Sequence, residues 1–312
     1  MTQTRAVTVV SVDLDVHDGV RMDALRVAAI LVTLALAPHP ARTAQAGPVA
    51  YSGSGVWIDR YDFARLDDPG SVVAEMAAHG VRTLYVETAS YRVPKRIDVV
   101  APQQTRDLIA AAHANNVKVV AWYLPGFKDL RTDMRRVRAA LAFRTADGQA
   151  FDSFALDIEA NGLNPVWRRN AALLRLSRMI RREAGPGYTL GAIVPDQRST
   201  GRGNVLWPSF PYGSTARYYD VFLPMAYSTF NRARGAAAVY RYTAANVRFV
   251  SRATGRPVHL IGGLTDGMSH AEQAAVAQAS RDAGAIGASL YKFQLYDAGS
   301  WAALTAFDAE QP

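Results

Sequence analysis

The segment Phe151-Asp-Ser-Phe-Ala-Leu-Asp-Ile-Glu-Ala160 decides the fold, because it is an apolar stretch that ends in two acidic residues. Successive side chains of a β-strand point to opposite faces. The apolar face of this strand would be formed by Phe154, Leu156 and Ile158. The opposite face would carry Asp157 and Glu159, two residues apart. The segment therefore predicts a buried strand whose carboxyl end presents two carboxyl groups side by side.

Two neighbouring carboxyl groups shift each other's pKa and can divide into an acid and a base. The structural alternative for so short a motif is an ion pair with a buried arginine. The pattern of the remaining chain is needed to choose between these two interpretations.

The chain has 312 residues, of which 49% are apolar, and this suits one large domain or two smaller ones with a full core. It contains no cysteine, which excludes disulfide bonds and thiolate metal sites. The net charge of +8 comes mainly from arginine, without the dense basic block that is typical of nucleic-acid binding. We therefore expect no nucleic-acid partner, no metal and no cofactor.

The N-terminus has the pattern of a secretory signal. The apolar run Val27–Pro38 is too short to span a bilayer, and it is followed by the small-x-small sequence Ala44-Gln-Ala46. We expect residues 1–46 to be a processing segment and the mature chain to begin near Gly47, with Met22 as an alternative start. The mature protein would be secreted or held in the cell envelope without a stable membrane span. An uncleaved anchor is the alternative.

Short apolar runs alternate with helical patterns along residues 47–312. Eight strands are predicted, at Val56–Tyr61, Val81–Glu87, Val117–Leu124, Phe151–Glu159, Thr189–Pro195, Asp220–Tyr227, Val258–Leu264 and Gly287–Tyr296. Helix starts are indicated by Asp68-Pro69, Asn164-Pro165 and the capping box Ser269-His-Ala-Glu272. This order predicts an α/β protein, a single (β/α)8 TIM barrel. An open doubly wound sheet is disfavoured, because no glycine-rich phosphate loop follows the first strand.

The segment Asp196–Tyr219 is a long loop rich in glycine, proline and aromatic residues, including Trp207-Pro-Ser-Phe-Pro-Tyr212. After the fifth strand it would lie on the catalytic face of a barrel. Its aromatic side chains favour a wall that stacks on sugar rings. A packed Ω-loop is the alternative.

Active sites of such barrels lie at the carboxyl ends of the strands. The candidate residues there are Asp59, Glu87, Trp122, Tyr123, Asp157, Glu159, Asp196, Tyr227 and Tyr291. Trp122 and Tyr123 are adjacent, so only one of them can face inward. Acidic and aromatic side chains together suit sugar chemistry, in which a carboxylic acid protonates a glycosidic bond. No Gly-x-Ser-x-Gly sequence supports a serine hydrolase.

Two segments carry a resemblance to a known family. Asp152-Ser-Phe-Ala-Leu-Asp-Ile-Glu159 resembles the fourth-strand signature of family 18 glycoside hydrolases, Asp-Gly-Phe-Asp-Leu-Asp-Trp-Glu. Asp220-Val-Phe-Leu-Pro-Met-Ala-Tyr227 resembles the sixth strand of the same chitinase-like barrels, which ends Met-x-Tyr-Asp. The chain is also similar to a group of secreted bacterial barrels with no assigned reaction.

The resemblance implies three roles. Glu159 would be the general acid, Asp157 would orient the acetamido group of the substrate, and Tyr227 would hold the acetamido oxygen. In that family the acetamido group attacks the anomeric carbon in place of an enzyme nucleophile. By this resemblance the substrate would be a glycan.

Three positions depart from the family pattern. Ala155 stands where the family has an aspartate that shares a proton with the central one, and Ser228 replaces an aspartate. Tyr291 and Phe293 occur where the family has a floor tryptophan. Without an acid at 155, we expect Asp157 to remain ionised and its charge to raise the pKa of Glu159.

The sequence thus predicts a secreted glycoside hydrolase-like protein that acts on a glycan, with N-acetylated cell-wall or chitin-type polysaccharide as the leading candidate. A lysozyme resembling family 25 is a second hypothesis, in which Asp59 supplies an acid above the first strand. A non-catalytic carbohydrate-binding barrel is a third, since fold alone does not establish activity.

Overall fold

Eight parallel strands close into a barrel in chain order in a computed structural model that describes residues 48–200 and 206–309. The strands are β1 Gly53–Ile58, β2 Thr83–Ser90, β3 Lys118–Leu124, β4 Ser153–Asp157, β5 Leu190–Pro195, β6 Val221–Met225, β7 His259–Gly263 and β8 Gly287–Tyr291. Every neighbouring pair is parallel, and β8 pairs with β1 to close the ring. The predicted (β/α)8 fold is confirmed.

A helix follows each strand and covers the outside of the barrel. The helices are α1 Pro69–Ala78, α2 Pro102–Ala114, α3 Leu130–Ala142, α4 Val166–Ala184, α5 Tyr212–Thr215, α6 Ala236–Thr254, α7 His270–Asp282 and α8 Ala298–Ala309. The fifth is a single turn, because the long connection after β5 takes up most of the space of that unit.

All eight predicted strands exist, and their bounds differ by a few residues. The largest difference is at β8, which ends at Tyr291 rather than Tyr296, because Phe293–Leu295 forms a 3₁₀ turn. Two of the three predicted helix starts are present as predicted, and the third is shifted by one residue, because α4 begins at Val166 with Pro165 at its N-cap and no side-chain cap from Asn164. The Asp68 carboxylate accepts hydrogen bonds from the N–H groups of Gly70 and Ser71, and Ser269 forms the capping box with Glu272.

The alternation within β4 separates two apolar layers. Leu156 packs into the layer between the strands and the helices, whereas Ala155 packs into the interior of the barrel. The interior is filled mainly by aromatic and branched side chains, among them Trp57, Tyr85 and Trp122. The barrel interior is therefore a packed core, as in other barrels of this class.

The long loop after β5 packs against the helical layer. Trp207 is fully buried, and its ring meets Phe127 edge-on at 5.6 Å between ring centroids. Its Nε1 donates to Oδ1 of Asn170 at 2.7 Å, and the guanidinium of Arg169 lies 4.8 Å from its ring centroid. The prediction that these aromatic residues form a sugar-stacking wall is wrong, because their faces are already used for packing.

The predicted processing segment, residues 1–46, lies outside the described residues. Across 48–200 and 206–309, no helix combines the length and apolar character needed to cross a membrane.

Candidate active site

A cavity of about 270 Å³ opens at the carboxyl ends of the strands. Seven of the nine predicted site residues line it, namely Asp59, Glu87, Trp122, Asp157, Glu159, Tyr227 and Tyr291. They come from β1, β2, β3, β4, β6 and β8 or from the residues directly after them. Closure of the barrel therefore brings together side chains that are more than 200 positions apart.

The other two predicted residues lie outside this cavity. Tyr123 points into the helical layer, where its hydroxyl donates to Oδ1 of Asp133 at 2.5 Å. Asp196 accepts hydrogen bonds from the Tyr242 hydroxyl at 2.6 Å and from Nδ2 of Asn231 at 2.7 Å. Each is next to an inward-facing position of its strand, so the alternation of the strand turns it outward.

Asp157 is buried at the bottom of the cavity. Its Oδ1 has no hydrogen-bond partner in the described part of the chain. Burial raises its pKa well above the ordinary value, and the charges of Glu159 and Glu87 raise it further, while Arg92 opposes the shift. The expectation that Asp157 remains ionised is therefore corrected, because the cost of burying its charge favours the protonated form.

Glu159 lies two residues further along, at the edge of the cavity. Its side chain is 33% exposed, and Oε1 lies 3.8 Å from Nη2 of Arg92. Burial raises the pKa of this carboxyl, and the arginine partly offsets the effect. Glu159 is thus an acid that holds its proton to higher pH than a free glutamate and still faces the open space.

Glu87 is a third acid of the cavity and is only 3% exposed. Its Oε2 accepts a hydrogen bond from the backbone N–H of Arg60 at 2.9 Å. Burial raises the pKa of Glu87 to about 7, although the hydrogen bond from the Arg60 backbone and the charge of Arg60 both act to lower it. The carboxyl therefore changes its charge close to neutral pH.

Asp59 is held in a network at the end of β1. Its Oδ2 accepts from the Tyr291 hydroxyl at 2.8 Å and from Nζ of Lys292 at 3.1 Å, and its Oδ1 accepts from the Tyr61 N–H. Asp59 is thus the acid above the first strand that the lysozyme-like hypothesis requires. Its oxygens are already engaged by three donors, which suits a structural role.

The floor of the cavity is aromatic. Trp57 stacks on Tyr85 with ring centroids 4.1 Å apart, and its Nε1 donates to Oγ of Ser289 at 2.8 Å. Trp122 meets Trp57 edge-on at 5.9 Å, and its own Nε1 is buried without a partner among residues 48–200 and 206–309. β1 and β3 thus supply the tryptophans that β8 lacks.

Tyr227 forms one wall. Its ring centroid lies 5.9 Å from that of Tyr291 and 5.7 Å from that of Phe230. Burial and the charges of Asp157 and Glu159 raise the pKa of its hydroxyl well above the usual value, so the hydroxyl remains a donor. Phe230 is 68% exposed at the rim of the cavity.

Sequence reasoning missed the other lining residues, and four of them add an aromatic ring or a charge to the site: Trp57, Tyr61, Arg92 and Phe230. Trp57 had a usable signal, because it precedes Asp59 by two positions and so shares its face of the strand. The other three lie in loops, where no alternation indicates direction. No group of three or more His, Asp or Glu side chains within the described ranges is arranged to hold a metal ion.

No protein-family model and no curated protein matches the chain. Solved structures do match. An endo-β-1,4-mannanase from Thermotoga petrophila is 11% identical, with a TM-score of 0.62 over 85% of this chain and 77% of that one. A class V chitinase from Pseudomonas fluorescens Pf-5 is 13% identical, with a TM-score of 0.61 over 82% and 99%.

A GH18 chitinase from Cycas revoluta, solved in complex with (GlcNAc)3, is 15% identical with a TM-score of 0.59 over 82% of this chain and 99% of that one. At these identities the comparisons establish the fold. The resemblance to chitinase-like barrels is confirmed at that level, and activity has to be argued from the cavity itself.

Proposed function

We propose that the protein hydrolyses glycosidic bonds, with Glu159 as general acid and Asp157 assisting it. One observation carries the proposal: Asp157 at the end of β4 and Glu159 two residues beyond it line the same aromatic cavity at the carboxyl end of the barrel, and both have a raised pKa. A general acid has to hold its proton near neutral pH and also reach the substrate. Glu159 satisfies both conditions.

The proposed reaction begins with proton transfer from Glu159 to the glycosidic oxygen as the bond to the anomeric carbon breaks. Water then forms the new bond to the anomeric carbon, either directly or after the acetamido group has attacked it, and one proton of that water returns to the Glu159 carboxylate. The aromatic faces of Trp57, Trp122 and Tyr227 suit the apolar faces of sugar rings. Phe230 at the rim extends this surface toward a second sugar unit.

An N-acetylated glycan of the cell-wall or chitin type is the proposed substrate. Two buried polar atoms at the cavity support it, Oδ1 of Asp157 and Nε1 of Trp122, since neither has a partner in the described structure. Buried polar atoms are nearly always paired with protein or water, so these two suit a ligand that both donates and accepts hydrogen bonds. An acetamido group has one donor and one acceptor.

A non-catalytic sugar-binding barrel is the second candidate. It is favoured by Ala155 and Ser228, which stand where the chitinase-like pattern has acids. Such a protein would keep the aromatic cavity and bind glycans without cleaving them. The lysozyme-like hypothesis is less well supported, because the donors around Asp59 already occupy its oxygens.

The proposal is tested by incubating the protein with chitin, peptidoglycan and plain glucans and counting the reducing ends that are released. Release above a heat-inactivated control from any of these supports hydrolysis. Binding to a glycan in a pull-down assay, without release, favours the binding barrel. A protein that binds none of these glycans and releases no reducing ends from them would contradict both the hydrolase and the binding-barrel candidates.

A further inference from the structure

Ala155 is fully buried in the barrel interior and carries no acid, so a second buried carboxyl group beside Asp157 can only come from another strand. On the basis of the proposed function, we infer that Glu87 on β2 shares a proton with Asp157 and acts as its positioning residue. The pair would carry one proton and one negative charge between them.

The strand register places the two side chains at the same height. Glu87 pairs with Trp122, and Trp122 pairs with Ala155. In barrels of this class the shear is about eight residues over eight strands, so the level changes by about one residue per strand. Two strands away from Glu87, the residue at its height is therefore two positions beyond Ala155, which is Asp157.

The same counting identifies the other inward-facing side chains at the height of Glu87 and Asp157. In (β/α)8 barrels such side chains form a layer of four, contributed by alternate strands. They are Glu87, Asp157, Met225 and Tyr291. All four line the cavity. Glu87 and Asp157 are thus neighbours in one ring of side chains that converge on the barrel axis.

Electrostatics agree with this placement. The charge of Glu87 is one of the causes that raise the pKa of Asp157, after burial and the charge of Glu159. Glu87 is itself raised to about 7, chiefly by burial. Two nearby buried carboxyl groups resist holding two negative charges, so the first proton leaves at lower pH than the second.

Other charged and titratable groups also face the pair, and each contributes to the balance. They are Asp59 and Arg60 after β1, Arg92 after β2, Glu159 after β4, Tyr227 after β6, and Tyr291 and Lys292 at the end of β8. Arg60 and Arg92 favour the ionised carboxyls, whereas Asp59 and Glu159 oppose them. The pair therefore loses its first proton close to neutral pH, where the pKa of Glu87 lies.

The functional consequence concerns Glu159. When Asp157 holds the shared proton, the substrate meets a neutral donor beside Glu159. When the proton moves to Glu87, Asp157 becomes a carboxylate that opposes ionisation of Glu159 or stabilises a positive group above it. The step transfers one proton between two oxygens and requires no further reactant.

The test follows the side-chain carboxyl carbons by ¹³C NMR as the pH is changed, in the wild type and in Glu87→Gln. The substitution keeps the shape and removes the charge, so the apparent pKa of Asp157 should fall by about one unit. Glu75→Gln is the control, because Glu75 is exposed on α1 and its removal also deletes one negative charge. The control should leave the Asp157 titration unchanged.

An identical Asp157 titration in the wild type and in Glu87→Gln would overturn the inference. This measurement needs no substrate, so it stands apart from the hydrolase proposal. If Glu87→Gln does not fold, Glu87→Asp is the second variant, because it keeps a carboxyl group on a shorter side chain. In Glu87→Asp the carboxyl carbon of Asp157 should still titrate in two steps, with pKa values that differ from those of the wild type. A single unshifted step in that variant also contradicts the inference. With an active wild type, Glu87→Gln should also move the neutral limb of the kcat/KM profile.

Discussion

Glu87, Asp157 and Glu159 are acids placed where water is scarce, and the cost of charging them there governs the chemistry of the cavity. Burial raises the pKa of all three. Asp157 and Glu87 are almost closed to solvent, whereas Glu159 is partly open and has Arg92 nearby. This difference in exposure suits the proposed roles, in which Glu159 delivers a proton and the two buried acids hold one.

Stability should depend on pH through Glu87. Its pKa is raised from 4.5 to about 7, so the stability it contributes is fully present below about pH 4.5 and is lost as pH rises through 7. Glu87→Gln avoids the buried charge and should be more stable than the wild type at pH 8.5 by about 1–3 kcal/mol, with a smaller difference at pH 5. Urea unfolding at both pH values measures this. An equal difference at the two pH values would contradict it, and Glu75→Gln should show no pH-dependent gain.

Tyr227 should contribute a hydrogen bond to the ligand. Its hydroxyl lies close enough to Asp157 and Glu159 for their charges to act on it, and it lines the cavity. Tyr227→Phe should weaken glycan affinity about fivefold, as expected for loss of one hydrogen bond of about 1 kcal/mol. Calorimetry on a bound oligosaccharide gives the value. Tyr240→Phe is the control, since that hydroxyl bonds Asp282 at the surface, and equal affinities for wild type and Tyr227→Phe would refute the contact.

Strand alternation explains both the successes and the failures of sequence-based prediction at the level of elements. In β4 the phase was clear, because apolar and acidic residues alternate, and both layers form as predicted. At the ends of β3 and β5 the sequence is apolar on both faces, so nothing indicated that Tyr123 and Asp196 face the helices. Buried parallel strands are near-continuous apolar runs, so their sequence does not show which side chains face the barrel interior and which face the helices.

The long loop after β5 is expected to contribute to stability and not to binding. Trp207 is fully buried between Arg169, Phe127 and Phe210. Trp207→Ala should destabilise the protein by about 3–5 kcal/mol. Trp167→Ala is the matched control, because that ring is 66% exposed and should cost less than about 1 kcal/mol. Denaturant unfolding compares the two, and comparable losses would show that the loop is not packed as described.

At the scale of the whole molecule, barrel closure is what makes the site. Asp59 and Tyr291 are hydrogen-bonded at 2.8 Å although they lie at opposite ends of the described chain. The spacing of strands and helices was enough to predict the (β/α)8 fold, and the rule that sites lie at strand ends was enough to find seven of the residues that line the cavity. The pairing of Glu87 with Asp157 depends on register and shear, which a single sequence does not reveal.

Export remains a prediction for the whole chain. The run Val27–Pro38 followed by Ala44-Gln-Ala46 has the order of a signal segment and its cleavage site. Protein recovered from the medium or cell envelope of an expressing bacterium should therefore begin near Gly47 on N-terminal sequencing. Retention of the full chain in the cytosol would contradict this.

The central claim is that Glu159 donates the proton that breaks a glycosidic bond. The most direct test is the turnover of Glu159→Gln on whichever glycan the wild type cleaves, because glutamine keeps the shape and has no acidic proton. Glu183→Gln is the control, since Glu183 forms a surface ion pair with Arg138 on the helical layer, away from the residues that line the cavity. We predict that Glu159→Gln loses about 10²–10⁴-fold in kcat while the control keeps wild-type activity. Full activity of Glu159→Gln would contradict the claim.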